Sequence, residues 1–331
     1  MRLLKISIVV IIIIGIIYWF GPHPSEPVYS SALLKVPANA TALQQYVSQQ
    51  EMKHIIKKDN EAEIVWADSN KKQKTPYAIV YLHGFSASKQ EGYPVHENIA
   101  KKFGCNLYLS RLSQHGIDTS EALMNMTADN LWESAKEAFA IGKQLGEKVI
   151  LMGTSTGGTL ALQLAATYQD VAGIILYSPN IAVHDPNAWL LNNPWGLQIA
   201  RLVKGSNYNI VQGDSVYAKY WNTKYRLEAL VSLEELVETK MIESTFKSIH
   251  QPVLTLYYYK DEMHQDQVVK VTATKKMFEQ LGTDASLKRA RSMPKTGNHV
   301  LASPIVSKDS QGVEKETARF MQEIMHINPL K

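Results

Sequence analysis

Six residues constrain this chain more than any others: Gly153-Thr154-Ser155-Thr156-Gly157-Gly158, set between the apolar runs Val149–Met152 and Thr159–Ala166. The first run, short and bounded by glycine, reads as a buried strand, and the second as a helix. Glycines on either side of a serine permit a tight, strained strand-to-helix turn that lifts the hydroxyl above the sheet edge. The helix N-terminus behind it favours developing negative charge. G-x-S-x-G alone recurs by chance. Its strand–turn–helix setting separates it from the plain alternative, an ordinary surface serine between two turn glycines.

The rest of the chain repeats that grammar. Glu63–Ala67, Tyr77–Leu82, Asn106–Leu109, Lys148–Met152, Val171–Tyr177, Pro252–Tyr258 and Ser286–Arg291 read as strands. Ala40–Lys58, Ala128–Leu145, Thr156–Thr167, Val269–Leu281 and Val313–Met325 read as helices. Strands alternating with helices imply βαβ units and a mostly parallel sheet covered on both faces. Between Pro179 and His250 no convincing strand appears, while Trp189, Leu190, Trp195, Leu197, Tyr217, Tyr220 and Trp221 supply large apolar side chains. This segment, residues 179–250, reads as a helical cap over the C-terminal sheet edge, where open α/β folds bind ligands. Packing of the cap's own small core accounts for most of its aromatics.

A serine needs a base, and the base an orienting acid. The order serine, acid, histidine selects His299, in Gly297-Asn298-His299-Val300, after the last strand and before the closing helix. The acid belongs after Pro252–Tyr258, in a loop with two aspartates, Asp261 and Asp266. Asp261 is nearer the strand end. Asp266 precedes Gln267-Val268-Val269 at the helix start, and the reading favours it, with the extra residues looped out. A tetrahedral intermediate needs two backbone donors. Thr156, directly after the serine, supplies one N–H; Phe85 in His83-Gly84-Phe85 supplies the other, with Gly84 allowing close approach. His83 and His115 read as loop-shaping residues.

With His83-Gly84-Phe85, Gly153–Gly157, Asp266-Gln267-Val268-Val269 and Gly297–Val300 in this order, the chain resembles the α/β-hydrolase superfamily. Within it, the carboxylesterase, monoacylglycerol-lipase and serine-aminopeptidase-like branch is the most similar, over residues 64–325. Two features depart from that branch: Thr154 and Thr156 flank the serine, and the acid loop is long. The resemblance implies an α/β-hydrolase fold and an acyl-enzyme mechanism. Ser155 would attack, His299 take its proton, Asp266 orient the imidazole, and the Phe85 and Thr156 N–H groups hold the oxyanion, with no cofactor and no metal. The substrate expected is a small-molecule acyl ester, lipid-derived in one version. Two competing readings are an amidase or exopeptidase of the same branch and a non-catalytic binding protein on this fold. An acidic cluster in the cap would favour the peptidase, but Glu234, Glu235 and Glu238 read as a solvated helix face.

The N-terminus carries a separate signal. Ile6–Phe20 has no charge and as a helix spans roughly 23 Å, short of a hydrocarbon core of about 30 Å unless Leu3 and Leu4 are included and Lys5 snorkels. Residues 1–20 are accordingly expected to be a transmembrane anchor, 21–37, with four prolines, a tether, and 38–331 the hydrolase domain. Arg2 and Lys5 would keep the N-terminus cytoplasmic and the body on the extracytoplasmic side of the membrane; the alternative is secretion after signal cleavage. Formal charge is only +4, with no basic stripe, which excludes nucleic acid as an expected partner. Nothing marks an obligate protein partner. The single cysteine, Cys105, excludes an internal disulfide and a cysteine-based zinc site.

Overall fold

The computed structural model describes residues 2–330. In chain order its elements are α1 (Arg2–Trp19), α2 (Ala40–Glu51), β1 (Glu63–Val65), β2 (Thr75–Leu82), α3 (Val95–Phe103), β3 (Asn106–Leu109), α4 (Ala128–Leu145), β4 (Gly146–Thr154), α5 (Thr156–Thr167) and β5 (Val171–Tyr177). There follow α6 (Gly196–Lys204), β6 (Tyr208–Ile210), α7 (Ser215–Tyr220), β7 (Lys224–Arg226), α8 (Leu227–Lys240) and α9 (Glu243–Lys247). The chain closes with β8 (Val253–Tyr257), α10 (Val271–Gln280), β9 (Lys288–Ser292) and α11 (Ser310–Glu323).

Seven strands form one sheet in the order β1-β3-β2-β4-β5-β8-β9. Only β1 runs antiparallel to its neighbour; every other pair is parallel. The alternation of each central strand fills two cores. Val80, Leu82, Leu151 and Leu176 face Trp132 and Phe139 of α4 and Leu160 and Leu164 of α5. Ile79, Tyr81, Ile150, Met152 and Ile175 face Ile99 and Phe103 of α3 and Val313 and Phe320 of α11. Both faces are covered at the centre of the sheet, so the central strands carry runs of consecutive apolar residues such as Ala78–Leu82 and Val149–Met152, as buried parallel strands must. The order reverses between β2 and β4, since β3 lies on one side and β5 on the other, and a crevice opens at such a switch point. The loop after β2 and the turn after β4 meet there.

Residues 179–250 contain helices, as expected, and also a short antiparallel ladder that the expectation lacked: Tyr208, Asn209 and Ile210 of β6 pair with Arg226, Tyr225 and Lys224 of β7. Three-residue strands carry too little alternation to be read from sequence. α2 stops at Glu51 rather than Lys58, because Ile56 leaves the helix to bridge Ile117.

Two N-terminal expectations change. α1 is 18 residues long, ~27 Å, and among the described residues no helix is long and apolar enough to cross a membrane. The expected transmembrane anchor is therefore not supported by this helix. The segment read as a tether lies against the body instead of hanging free. Its carbonyls at Ser30, Ser31 and Ala32 accept hydrogen bonds from the Trp132 indole (2.7 Å), the Tyr168 hydroxyl (2.7 Å) and the Lys136 ammonium (2.9 Å). Tyr29, Leu33 and Val36 pack on the core beneath. An extended proline-rich strand has no internal partners for its carbonyls, and here long side chains of α4 and its neighbours supply them.

Candidate active site

Ser155 sits between β4 and α5 at φ 52°, ψ −117°, a backbone conformation rare for a non-glycine residue and costly enough that its surroundings must enforce it. They do. Its N–H donates to Tyr177 O (2.9 Å), and its carbonyl accepts from Gly158 N–H (2.9 Å), Thr159 N–H (3.1 Å) and Asn180 N–H (3.0 Å). A Cβ on Gly157 would lie 1.9 Å from Leu82 O, so only glycine lets the head of α5 press onto the end of β2. Of the two flanking threonines, Thr154 shares a hydrogen bond with the buried Tyr81 hydroxyl (3.0 Å). Thr156 is buried at the helix start. Ser155 is thus a strained, largely buried residue facing the crevice, not a surface turn serine.

His299 and Asp266 meet: Nδ1 of the imidazole lies 2.6 Å from Oδ2 of the carboxylate. Asp266 Oδ1 accepts from the N–H groups of Val268 (2.8 Å) and Val269 (3.1 Å). Burial alone would raise the Asp266 pKa, but His299 and these two N–H groups outweigh it and hold the carboxyl below its ordinary value. Burial would likewise lower the pKa of His299; Asp266, with Glu91, outweighs that and raises it. With Nδ1 donating to a carboxylate, Nε2 is left as the basic nitrogen. Asp261 is elsewhere, in the exposed bulge of the long loop, where it accepts from His264 Nδ1 at 2.7 Å. Asp266 itself returns to the sheet by donating its N–H to Tyr258 O (3.2 Å). No hydrogen bond joins Ser155 to His299 among the described residues. Such a bond is often loose without substrate.

The loop after β2 completes the floor. His83 Nε2 accepts from Leu112 N–H (3.0 Å), so Nδ1 carries the proton and donates to Gly84 O (2.9 Å). Buried beside His115, with its pKa well below the ordinary value from desolvation, it shapes the loop. His115 does the same through Ser113 O (2.9 Å). Phe85 packs edge-on against Tyr225 of the cap, ring centres 5.0 Å apart. Among the described residues no protein acceptor takes the Phe85 or Thr156 N–H. Sequence reading missed Glu91: nothing in Lys89-Gln90-Glu91 distinguishes it from a surface charge run, yet it is buried and accepts the Gly84 N–H.

Above this floor lies a cavity of about 500 Å³ between sheet and cap, lined by Ser155, Phe85 and Asn180 below and by Leu190, Leu191, Ile199, Leu230 and Leu233 above. One polar side chain on its roof corrects an expectation. Glu234 does not belong to a solvated face: it is 4% exposed, and its Oε2 has no hydrogen-bond partner. Burial, reinforced by Glu238 and Asp185 and opposed by Lys270, pushes its pKa up to about 7. The heptad-like spacing turns Glu234 inward with Leu233 and Val237, whereas Glu235 pairs with Asn192 (3.0 Å). Among the described residues no group of His, Cys, Asp and Glu is arranged to hold a metal ion.

Comparison with known proteins follows the same lines. The model of the family described as serine aminopeptidase, S33, matches residues 127–294, half of the chain. The chain belongs to that family. This S33 member is 33% identical over 101 residues to a thermostable monoacylglycerol lipase from Bacillus sp. strain H-257, a match spanning 30% of the chain and 39% of the lipase. The chain thus spans about two fifths of that relative's length. Among solved structures it is similar to one from work on LipS and LipT, two metagenome-derived lipolytic enzymes. There the TM-score is 0.65 at 16% identity, covering 81% of this chain and 99% of the other. It is also similar to the monoacylglycerol lipase of Paleococcus ferrophilus, at TM-score 0.56 and 14% identity over 78% and 97% of the two chains. The shared architecture is the α/β-hydrolase fold.

Proposed function

We propose that this S33 member is a serine hydrolase that cleaves carboxylic esters through an acyl-enzyme, with residues 179–250 as its cap. The observation that carries the reading is the conjunction of a strained Ser155 facing an apolar cavity with a buried His299–Asp266 pair on the same sheet edge. Ser155 Oγ attacks the carbonyl as His299 Nε2 takes its proton. Asp266 fixes the imidazole tautomer and stabilises the imidazolium. The Phe85 and Thr156 N–H groups receive the oxyanion. His299 then protonates the departing alcohol, and water, activated by the same base, releases the acid. The aliphatic roof suits an acyl chain, and the lipolytic relatives support a lipid-derived ester.

Labelling with a fluorophosphonate probe, followed by hydrolysis of p-nitrophenyl esters of graded chain length, tests this. The expected result is labelling lost in Ser155→Ala and turnover of at least the short and medium esters. An unlabelled, folded wild-type chain would sink the proposal. One observation favours a second reading, cleavage of amides bearing a free amine: the unpartnered carboxyl of Glu234 in the cavity. Turnover of aminoacyl p-nitroanilides in preference to the esters, abolished by Glu234→Gln, would decide for it.

A further inference from the structure

Glu91 has no place in the mechanism so far, yet it lies among its parts. It ends a short 3₁₀ turn, Lys89–Glu91, and is 2% exposed. Its Oε2 accepts the Gly84 N–H, the peptide group immediately before the Phe85 donor. A Cβ built on Gly84 would lie 2.9 Å from both Glu91 carboxylate oxygens and 3.0 Å from Ser155 Cβ. The carboxylate and the nucleophile therefore both crowd the space that a side chain at residue 84 would need. From the cap, the buried Trp221 side chain, stacked on Tyr217 with ring centres 4.6 Å apart, favours its charged form. The adjacent Asn222 N–H donates to Ser86 O in the oxyanion loop (2.8 Å).

We propose that Glu91 is a positioning residue for hydrolysis: its carboxylate clamps the His83–Gly84 peptide, and so sets the orientation in which the next peptide offers the Phe85 N–H to the oxyanion, in a loop that the cap also holds through Asn222. This rests on the Ser155–His299 reading above. Occupying the Gly84 N–H matters because a free donor there would let the peptide rotate, and donors act in catalysis only when held where charge develops. The charge matters as well. Glu91 and Asp266 both stabilise the imidazolium form of His299, so its titration reflects both carboxylates. The other titratable groups facing Glu91 are Tyr81 of β2 and Tyr217 of α7. Burial pushes the Glu91 carboxyl up to about 7, while the Gly84 N–H, His299 and Trp221 favour its charged form.

The test uses the full chain, p-nitrophenyl butyrate and two variants that divide these roles. Glu91→Gln keeps an acceptor at the right reach but removes the charge. The acid limb of its kcat/KM profile is expected to move to lower pH by about half a unit or more, as His299 loses a carboxylate. Glu91→Asp keeps the charge but withdraws it from Gly84. Its kcat is expected to fall about 10- to 100-fold with KM nearly constant, the signature of a misplaced oxyanion donor, and its acid limb to stay in place. A merely structural residue would lower the melting temperature of both variants without this split. If Ser155→Ala is inactive while both Glu91 variants keep the wild-type kcat and acid limb, the assignment of Glu91 is overturned and the Ser155–His299 reading stands. If Ser155→Ala retains activity, both fall. Should one variant fail to fold, the other still decides through its own readout.

Discussion

Two buried carboxylates, one at the sheet edge and one in the cap, have met opposite fates. Asp266 is saturated by the His299 imidazole and two backbone N–H groups, and its pKa is held down. Glu234 leaves one oxygen without a partner, and its pKa is pushed up to about 7. A buried polar group without a partner costs on the order of 1–3 kcal/mol, more when charged. A fold keeps such a cost where something else recovers it. At the sheet edge the carboxylate is fully partnered within the protein; in the cap it faces the cavity with an oxygen unmatched.

The largest expected effect lies at the complete site. On the proposed mechanism, in which serine, histidine and acid act as a unit, Ser155→Ala should lower kcat for any ester that is turned over by at least about 10³-fold, with folding unchanged. Residual turnover above that level would remove Ser155 from the role. Next comes the choice of acid. Asp266→Asn should cost about 10²- to 10⁴-fold in kcat, because an amide can turn a donor toward Nδ1 and favours the wrong tautomer. Asp261→Asn, in its exposed bulge, should stay within about twofold. Equal losses in the two variants, measured under the same conditions, would erase the distinction between a built site and a solvated loop.

The contrast between the regions also explains what was legible. The strand-to-helix turn at Ser155, the parallel strands and the helices α4 and α5 follow from short-range patterns whose physical causes are local. These are an apolar run buried on both faces, glycines where Leu82 O presses close, and the Thr127 cap that donates and accepts with Asn130 (3.0 and 3.1 Å). α3 carries a signal of the same kind, Val95, Ile99 and Phe103 on one face and the left-handed Gly104 that stops it. The cap resists this treatment. Its ladder is three residues long, and Trp221 serves the oxyanion loop rather than a cap core. Glu234 and Glu91 look like surface charges because their burial is set by tertiary packing and not by any neighbour in sequence.

The smallest effect is the one that isolates the cap carboxylate from catalysis. The folded pKa of Glu234, about 7, lies above its unfolded value near 4.5, so between those values the folded chain binds more protons than the unfolded one. Stability contributed by this group must then fall as pH rises from about 4.5 to about 7 and stay low above that. Asp266 has the opposite sign: its folded pKa is depressed, so its contribution is present above the unfolded value and is lost only as pH falls through the folded one. Glu234→Gln should therefore be more stable than wild type at pH 8.5 by on the order of 2 kcal/mol and show little difference at pH 5. Asp266→Asn should be less stable at both. Urea midpoints at the two pH values check both signs at once. A Glu234→Gln difference that does not grow with pH would mean that the carboxyl finds a partner or water in the cavity, and the contrast with Asp266 would be gone.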